Sequence, residues 1–415
     1  MTRTKRTYED YVNLKYKPKK TDLICKFIVT TKKNIKEAAG AVAAESSIGT
    51  WTHTTTIKSY MLNLAAVVYQ IKKLSPKAFL TSIAYPNELW EPGNMPGILS
   101  GIAGNIFGMK EVENLKLVDV IFPKNIAKSF PGPKYGIGGV RKITGVYKRP
   151  LLGTIIKPKI GLNSRDHAKI AYEAWAGGCD IVKDDENLVS QTFNKFEKRL
   201  NLTLKSKKKA EKETGERKMY MINVTAETKE MLRRAKLVED SGNEYIMVDI
   251  VVTGWSALQT LRNEDFKLVI HAHRAGHAAL NRVENHGIGM NVIARLCRLV
   301  GCDQLHIGTV VGKMFENRES VMKNVNALTD ELYGVRKTMP VSSGGLHPGH
   351  VPALYALFGK DVIIQMGGGI HGNRLGTRLG AKAARQAIEA VVNGVSLKEY
   401  AKTHKELKST LQQWQ

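Results

Sequence analysis

The stretch LLGTIIKPKIGLNSRDHAKIAYEAWAGGCDIVKDD, residues 151–185, contains a pattern that recurs through the rest of the chain. It opens on an apolar run that suits a buried strand, continues through an amphipathic helical pattern, and closes on a second strand-like run. A strand, a helix and a second strand in this order are typical of a parallel βα unit. The stretch therefore predicts a parallel sheet covered by helices.

The same alternation continues through the rest of the chain. Further short strand patterns begin near residues 219, 244, 267, 304, 339 and 361. The helical patterns near residues 228 and 377 close with glycine, where a helix C-cap is expected. Eight βα repeats predict an α/β fold with a (β/α)8 TIM barrel, a catalytic domain over residues 133–415 that ends in C-terminal helices. The functional site is then expected at the carboxyl ends of the strands.

Residues 1–132 do not follow this alternation. The runs LICKFIVTT (23–31) and KAFLTSIAYP (77–86) suit strands, and helical patterns lie near residues 34–45 and 97–107. The glycine- and proline-rich segment FPGPKYGIGGVRK separates this region from the barrel. We expect a separate N-terminal α+β domain over residues 1–132, of the ferredoxin-like kind.

The composition is that of a globular protein. With 415 residues and 43% hydrophobic content, the chain can fill large cores. No stretch approaches the roughly 18 consecutive apolar residues of a membrane helix. The N-terminus also lacks the apolar segment of a signal peptide, so we expect a cytoplasmic location. The four cysteines lack metal-type or framework spacing and should be reduced and mostly buried.

The net charge of +25 fits several partner classes, namely nucleic acid, an anionic membrane surface or a phosphorylated substrate. Much of the charge lies in the first twenty residues and in the run TLKSKKKAEKETGERK (203–218). These runs alternate with glutamate and lack interleaved aromatic residues, which favours a solvated face over a nucleic-acid groove. We expect neither a nucleic-acid nor a membrane partner.

Charged residues follow the first two strands of the predicted barrel. Lys157 and Lys159 come after the first strand, and Lys183, Asp185 and Glu186 come at the end of the second. Strand alternation places Lys183 and Asp185 on one face. Two carboxylates supply part of the oxygen shell that Mg²⁺ prefers, and a lysine that has combined with CO₂ becomes a carbamate with further oxygens. From these residues alone, a metal site and a structural ion-pair cluster both remain open.

Histidines and an arginine follow the fifth and sixth strands. His271 and His273 end the fifth strand as a pair of the kind that binds zinc or iron, but Arg274 beside them favours an anion. A guanidinium group binds phosphate with a planar fork. The sixth strand brings His306 and then GTVVGK, in which Lys313 follows the second glycine. This segment is not a P-loop, because three residues rather than four separate its glycines.

Glycine-rich loops follow the seventh and eighth strands, as SSGG (342–345) and GGGIHG (367–372). The second matches G-x-G-x-x-G, but its place at the end of eight units favours the phosphate cradle of a barrel over a dinucleotide site. The sequence thus offers two anion-binding groups: Gly344, Gly345, Gly367 and Gly368 in one, Arg274 and His306 in the other. They predict a substrate that is phosphorylated at both ends.

These motifs resemble those of the large subunit of ribulose-1,5-bisphosphate carboxylase/oxygenase, RuBisCO. KPKIGL, GGCDIVKDDEN, HAHRAGHAA, HIGTVVGK, SSGGLHPG and QMGGG stand in the family's order, and GAVAAESSIGTWT and GIAGNIFGMK match in the N-terminal region. The resemblance covers nearly the whole chain and is greatest to the archaeal form III group. It implies Mg²⁺-dependent carboxylation of ribulose 1,5-bisphosphate to two 3-phosphoglycerates, with an oxygenase side activity and service in AMP salvage.

The resemblance also implies a role for each matching residue. Lys183, carbamylated by an activating CO₂, would bind Mg²⁺ with Asp185 and Glu186 and would remove the substrate's C3 proton. Lys313 would polarise the incoming CO₂, with Glu45 as its salt-bridge partner when the loop is closed.

Further catalytic and binding roles follow from the same resemblance. Lys157 would protonate the carbanion left after cleavage, Lys159 would hold its environment, and His273 would assist proton transfer during hydration. Asn105 would be a further catalytic residue. The remaining residues would contact substrate: Arg274 and His306 at one phosphate, Thr50, Trp51, Gly344, Gly345, Gly367 and Gly368 at the other, and Ser343 at the sugar hydroxyls.

In this family Glu45, Thr50, Trp51 and Asn105 reach into the barrel of a neighbouring subunit. The resemblance therefore implies a homodimer with shared active sites as the minimal unit, without a small subunit, and leaves higher assemblies of dimers open. The chain departs from the family at Ile155, where many relatives carry threonine, and in the continuation GGGIHGNRLG.

Two other enzyme classes share parts of this pattern. A RuBisCO-like enolase or isomerase of sulfur salvage keeps the metal triplet without carboxylating, but the presence of Glu45, Asn105, Lys157, His306 and Lys313 argues against it. A metal-dependent amidohydrolase carries His-x-His on its first strand, whereas here the pair is on the fifth.

Overall fold

The computed structural model describes residues 6–52 and 54–414. In chain order its strands are β1 (Leu23–Thr30), β2 (Val67–Lys73), β3 (Ala78–Tyr85), β4 (Asn114–Ile121), β5 (Leu151–Ile155), β6 (Ile181–Lys183), β7 (Met219–Asn223), β8 (Tyr245–Asp249), β9 (Val269–His273), β10 (Gly287–Ile288), β11 (Gln304–His306), β12 (Met339–Ser343) and β13 (Ile363–Gln365).

The α-helices are α1 (Ile35–Glu45), α2 (Met95–Ile102), α3 (Lys124–Lys128), α4 (Gly136–Thr144), α5 (Ser164–Ala176), α6 (Phe196–Thr214), α7 (Thr228–Asp240), α8 (Ile250–Thr253), α9 (Trp255–Asn263), α10 (His277–Asn281), α11 (Met290–Val300), α12 (Arg318–Thr329), α13 (Val351–Phe358), α14 (Gly368–His371), α15 (Thr377–Val392), α16 (Leu397–Tyr400) and α17 (Lys405–Gln413).

Contacts between residues divide the chain into two units. The first unit contains the chain up to Pro131 together with residues 276–299 and 331–335. The second contains residues 132–275 and 300–330 and the chain from Arg336 onward.

The first unit is built on a five-stranded sheet with the order β10-β4-β1-β3-β2. Strand β1 pairs antiparallel with β3 and β4, and β10 pairs parallel with β4. The predicted strands at 23–31 and 77–86 are β1 and β3. The helical pattern near 97–107 ends earlier, at Ile102, and Gly104 follows in a non-helical conformation as the N-cap of a 3-10 helix. Glycine is required there, because a side chain at this position would lie 2.1 Å from the Ser100 carbonyl oxygen.

The second unit contains a closed barrel of parallel strands with the order β11-β12-β13-β5-β6-β7-β8-β9. All eight strand patterns found in the sequence form it, so the predicted TIM barrel preceded by an α+β region is confirmed. The predicted helices near residues 228 and 377 are α7 and α15, and the glycines that close them, Gly242 and Gly394, have φ of 76° and 71°. Only glycine adopts this conformation without strain, which makes it a common C-cap.

Apolar side chains fill the interior of the barrel. Every barrel strand except β11 contributes to this cluster, and Val140 of α4 covers one end of it. The strand residues are Leu151, Ile181, Met219, Met221, Tyr245, Met247, Val269, Met339, Val341 and Ile363. Inward-facing residues of parallel strands stack in layers, so the barrel is a packed core rather than a pore. Polar side chains replace the apolar ones at the carboxyl ends of the strands.

Three further predictions concern the basic run at 203–218, the state of the cysteines and the absence of a membrane-spanning helix. The basic run at 203–218 lies mainly on α6, where Lys205, Lys208 and Lys209 are exposed, whereas Lys207 is buried and contacts Glu244 at 2.9 Å. All four cysteines are buried, and none of them forms a disulfide bond. Among the described residues, no helix is both long and apolar enough to span a membrane.

Candidate active site

The carboxyl ends of the barrel strands gather at one end of the second unit, which we call the mouth. Parallel strands all run in the same direction, so their last residues meet there. Lys157 follows β5, Lys183 ends β6, His273 ends β9, His306 ends β11 and Ser343 ends β12. Residues predicted from five separate stretches of sequence therefore lie at the same end of the barrel.

Lys183 is completely buried at the mouth. Its Nζ donates a hydrogen bond to the backbone oxygen of Asp184 at 2.7 Å and lies 4.0 Å from Glu186 Oε2. Burial lowers the pKa of Lys183, although the surrounding carboxylates oppose this shift. A lowered pKa favours the neutral amine, which is the form that can react with CO₂.

Two further lysines contact the carboxylates that follow Lys183. Lys157 Nζ lies 2.6 Å from Asp185 Oδ2, and Lys159 Nζ lies 3.2 Å from Glu186 Oε1. Burial by itself would raise the pKa of Glu186, but the charges of Lys183, His273 and Lys159 lower it to about 2. Glu186 is therefore an anion at neutral pH.

The donor set at the mouth fits Mg²⁺ under one condition. In residues 6–52 and 54–414, no three His, Cys, Asp or Glu side chains are arranged to hold one metal ion. Asp185 and Glu186 offer two oxygen donor groups, and Lys183 beside them is no ligand for a hard cation as an amine. As a carbamate it would supply the third oxygen donor, so the site fits Mg²⁺ only with Lys183 modified.

Asp184, which sequence reasoning did not assign, anchors this strand end. Its carboxylate accepts hydrogen bonds from Arg199 Nε (3.0 Å), Tyr220 Oη (2.7 Å) and the Asn223 backbone N–H (3.1 Å), and it contacts His167 Nε2 at 3.1 Å. All these groups are buried. Because successive residues of a strand point to opposite faces, fixing Asp184 behind the strand orients its neighbours toward the mouth.

His273 is oriented by a second unassigned carboxylate. Its Nδ1 lies 2.8 Å from Asp249 Oδ1, and its Nε2 lies 3.9 Å from Glu186 Oε2. Burial lowers the pKa of His273, with Asp249 opposing the shift, so the imidazole can act as a base near neutral pH. Asp249 is the last residue of β8. Its position at a strand end is the feature by which the sequence could have identified it as a residue of the mouth.

His306 lies between two other side chains of the mouth. Its Nε2 is 2.9 Å from His271 Nε2, and its Nδ1 is 2.7 Å from Ser343 Oγ. His271 Nδ1 in turn lies 2.9 Å from Gln304 Oε1. Burial lowers the pKa of both histidines well below the usual range. Both rings are therefore neutral at physiological pH, and His271 has an internal partner on each nitrogen.

The glycine loops lie where lysine side chains pass closely. A side chain at Gly345, which has φ of 70°, would lie 2.9 Å from Lys313 Cγ, and one at Gly367 would lie 3.1 Å from Lys157 Cε. Gly368 begins the short helix α14. These loops thus border the same mouth as the charged residues.

The motif GGGIHG, where the sequence departs from the family pattern, also links neighbouring elements of the barrel through His371. His371 Nε2 lies 2.9 Å from Thr154 Oγ1, and its Nδ1 lies 3.1 Å from Thr377 Oγ1. Burial, with a contribution from the charge of Lys157, lowers the pKa of His371 to about 4. The neutral ring therefore links α14 and the start of α15 to β5.

The predicted residues of the N-terminal region lie in the first unit. Glu45 ends α1 and accepts a hydrogen bond from Tyr8 Oη at 3.1 Å. Asn105 is exposed and opens a 3-10 helix. Thr50 is half-buried, and Trp51 is 81% exposed.

Comparison with protein families gives two matches that together span most of the chain. Residues 136–414 match the ribulose bisphosphate carboxylase large chain, catalytic domain, and residues 10–126 match the N-terminal domain of the same chain.

Individual relatives agree with these matches. The ribulose bisphosphate carboxylase of Methanocaldococcus jannaschii is 50% identical and that of Methanosarcina barkeri 51% identical; each comparison covers 98% of this chain and at least 99% of the relative. The sulfate complex of the octameric RuBisCO from Pyrococcus horikoshii superposes with a TM-score of 0.95 at 44% identity, covering 99% of this chain and 97% of that one. The dimeric archaeal RuBisCO from Hyperthermus butylicus gives 0.92 at 43% identity, covering 98% and 99%.

Proposed function

The chain belongs to the ribulose bisphosphate carboxylase large-chain family, and we propose that it converts ribulose 1,5-bisphosphate, CO₂ and water into two 3-phosphoglycerates and two protons. The observation that carries this proposal is the buried Lys183 beside Asp185 and Glu186, with Lys157 and His273 in contact with the two carboxylates. This set offers a metal site, a base and a proton donor at one place.

Activation would begin at Lys183. Its neutral amine would attack CO₂, form a carbamate and release one proton, and the lowered pKa of Lys183 supports this step. The carbamate, Asp185 and Glu186 would then hold Mg²⁺, which when bound would polarise the oxygens on C2 and C3 of the substrate. The lysine carbamate would remove the C3 proton.

The neighbouring side chains would handle binding and the later protons. His273, held by Asp249 at 2.8 Å, would take a proton from the water that adds to C3. Lys157 would donate a proton to C2 after the C2–C3 bond breaks, with Lys159 beside it. Lys313 would polarise the incoming CO₂.

The two phosphates would occupy the two sides of the mouth. Arg274 and His306 would bind one of them, and Ser343, 2.7 Å from His306, would contact the sugar hydroxyls. The backbone of the two glycine loops would bind the other phosphate: Gly344, Gly345, Gly367 and Gly368.

The assembly we propose is a homodimer with shared sites. Glu45, Thr50, Trp51 and Asn105 would complete the mouth of the partner subunit, and the exposed indole of Trp51 supports a contact outside its own unit. The dimeric structure from Hyperthermus butylicus supports such an assembly, and the octameric structure from Pyrococcus horikoshii supports one built from dimers. We also propose an oxygenase side activity and service in AMP salvage, on the form III resemblance.

The test is carboxylation by the purified chain. After incubation with CO₂ and Mg²⁺, it should convert labelled bicarbonate and ribulose 1,5-bisphosphate into acid-stable label in 3-phosphoglycerate. Omission of Mg²⁺ should abolish the label, as should Asp185→Asn. A folded protein that incorporates no acid-stable label would contradict the proposal, and if it still exchanged the C3 proton, the enolase or isomerase alternative would replace it.

A further inference from the structure

The short helix α14 begins at Gly368, within the glycine loop that is proposed to bind a phosphate group. The backbone of this loop passes close to Lys157, because a Cβ at Gly367 would lie 3.1 Å from Lys157 Cε and 3.8 Å from the Ile155 carbonyl oxygen. At the other end of the helix, the His371 backbone N–H donates to the Gly367 carbonyl oxygen at 3.1 Å. The glycine loop therefore lies against Lys157 and ends at His371.

The side chain of His371 ties this loop to strand β5. Its Nε2 lies 2.9 Å from Thr154 Oγ1, and its Nδ1 lies 3.1 Å from Thr377 Oγ1. The Thr154 hydroxyl already donates to the Met366 carbonyl oxygen at 2.7 Å, so toward His371 it accepts. Burial lowers the pKa of His371 to about 4, which keeps the ring neutral near pH 7. The neutral ring thus carries its proton on Nε2 and donates it to Thr154, while Nδ1 accepts from Thr377.

Thr154 is a fixed point to which the loop can be attached. It is completely buried on β5 and lies three residues before Lys157 in the sequence. The helix is also held on a second side, since a side chain at Gly369 would lie 2.1 Å from the Leu346 carbonyl oxygen. The hydrogen bond from His371 to Thr154 therefore joins the glycine loop to the strand that leads directly to Lys157.

We propose that His371 is a positioning residue, which holds the glycine loop against β5 and so sets the position of a bound phosphate relative to the ammonium group of Lys157. This proposal rests on the roles proposed above for the glycine loop and for Lys157. His371 acts on the reaction through these two groups.

The position of Lys157 matters most after the C2–C3 bond of the substrate has broken. The electron pair left on C2 can take a proton from Lys157, which completes 3-phosphoglycerate. It can instead form a double bond to C1, in which case the C1–O bond breaks and phosphate leaves. The product of this second route is enolpyruvate, which becomes pyruvate when its hydroxyl loses a proton and C1 takes one up.

The contact between Lys157 and Gly367 decides which phosphate is concerned. Because Lys157 is proposed to protonate C2, the phosphate held beside it would be the one on the adjacent C1. Misplacement by about 1 Å can slow a positioned step on the order of a hundredfold, so a loop that shifts relative to Lys157 should favour loss of phosphate over protonation.

The first test follows the backbone amide of Gly368 by NMR while inorganic phosphate is added to the purified chain labelled with isotopic glycine. The signal is identified with Gly368→Ala, because a Cβ there would meet no atom within 4 Å. Phosphate should bind about tenfold more weakly at this amide in His371→Ala than in wild type. His371→Gln keeps an N–H that can donate to Thr154 and should restore most of the affinity.

Two further variants test the hydrogen bond itself. Thr154→Val removes the acceptor with little change of shape and should weaken phosphate binding as His371→Ala does. His404→Ala is the matched control, because this half-buried histidine, whose Nδ1 lies 2.8 Å from the Tyr400 carbonyl oxygen, precedes α17 and should not affect the affinity. Wild-type affinity in His371→Ala or in Thr154→Val, or an equal loss in His404→Ala, would overturn the proposal.

The second test measures the products formed from ribulose 1,5-bisphosphate and CO₂. The ratio of pyruvate to 3-phosphoglycerate should rise about tenfold in His371→Ala and return toward the wild-type value in His371→Gln, whereas a structural loss alone would lower both products together. An unchanged ratio would overturn the proposal. If wild type forms no 3-phosphoglycerate while the phosphate titration gives the expected result, only the proposed function fails. Carboxylation by wild type without an effect of His371 on phosphate binding defeats only the role of His371.

Discussion

The two ends of the barrel both bury charged side chains, but they pair them differently. At the base, where the strands begin, Asp180 accepts a two-pronged contact from Arg149 (2.6 and 2.8 Å) and a third from Arg385 (2.9 Å). Asp303 accepts from Arg262 Nη2 (2.7 Å) and from three backbone N–H groups. Each carboxylate oxygen of Asp180 and Asp303 therefore has a fixed partner.

At the mouth the cations that contact the carboxylates of Asp185 and Glu186 are lysines. Lys157 holds Asp185 through a single contact, and the buried Lys183 donates to a backbone carbonyl. Arginine stays charged and presents a rigid fork, whereas a buried lysine can lose its proton and react. The base thus uses buried charge for stability, whereas the mouth keeps it available for chemistry, as is usual for this fold.

The largest effect is expected at the mouth, from Lys183→Ala. The variant loses the proposed base and the lysine on which the carbamate is proposed to form, so carboxylation should fall to background. The fold should be retained with a lower unfolding midpoint, because truncation of a completely buried side chain leaves a cavity. Carboxylation and thermal unfolding would be measured together, with Lys236→Ala, an exposed lysine, as control. Retained activity, or loss of the fold, would erase the contrast between the two ends.

The next effect is expected at the base, from Arg262→Met. It leaves the carboxylate of Asp303 buried without its cation, which should lower the free energy of unfolding by about 3–5 kcal/mol. The turnover of the molecules that remain folded should be unchanged. Denaturant titration would measure the first quantity and active-site-normalised kinetics the second. Lys323→Met, which breaks an exposed pair with Glu319, should leave both unaltered.

A smaller effect is expected from Asp249→Asn at the mouth. The variant keeps the shape of the side chain but weakens its hold on His273, so activity should fall about 10–100-fold with the fold intact. The pKa of His273 should fall, because the carboxylate that favours its protonation is gone. The pH profile of kcat should therefore shift to lower pH. Asp240→Asn, on the exposed face of α7, serves as control. An unchanged pH profile would limit Asp249 to a packing role.

The smallest effect is expected at the base, where the stabilisation by Asp180 should be lost at acidic pH. Burial by itself would raise the pKa of Asp180, but Arg385 and Arg149 lower it to about 2. Since the folded pKa lies below the unfolded value, the stabilisation is complete above about pH 4 and is lost as the pH falls through 2. The stability difference between wild type and Asp180→Asn should therefore shrink by about 2 kcal/mol over this range, measured by urea titration. A difference that is constant with pH would show that Asp180 is not held by charge.

Local patterns predicted much of the fold. The eight barrel strands are buried on both faces and read as short apolar runs, so they were found from the sequence. Strand β2 was missed because it lies at the edge of its sheet and only Val68 is fully buried along it. Strand β4 was missed as well; it pairs with β1 across about 90 residues of chain.

The candidate site likewise combines residues that local patterns predicted with contacts that they did not. Which reactive side chains end the barrel strands could be read from the sequence, because strand direction sends Lys157, Lys183 and His273 to one mouth. The groups that hold these side chains in place are visible only in the folded chain. Asp249 meets His273 from the neighbouring strand, and Glu316 meets Arg274 from 42 residues away. A strand-end position marks Asp249 as a residue of the mouth, but no local pattern shows which partner either carboxylate takes. Periodicity is a property of neighbouring residues, whereas the partner of a buried charge depends on which distant segments packing brings together.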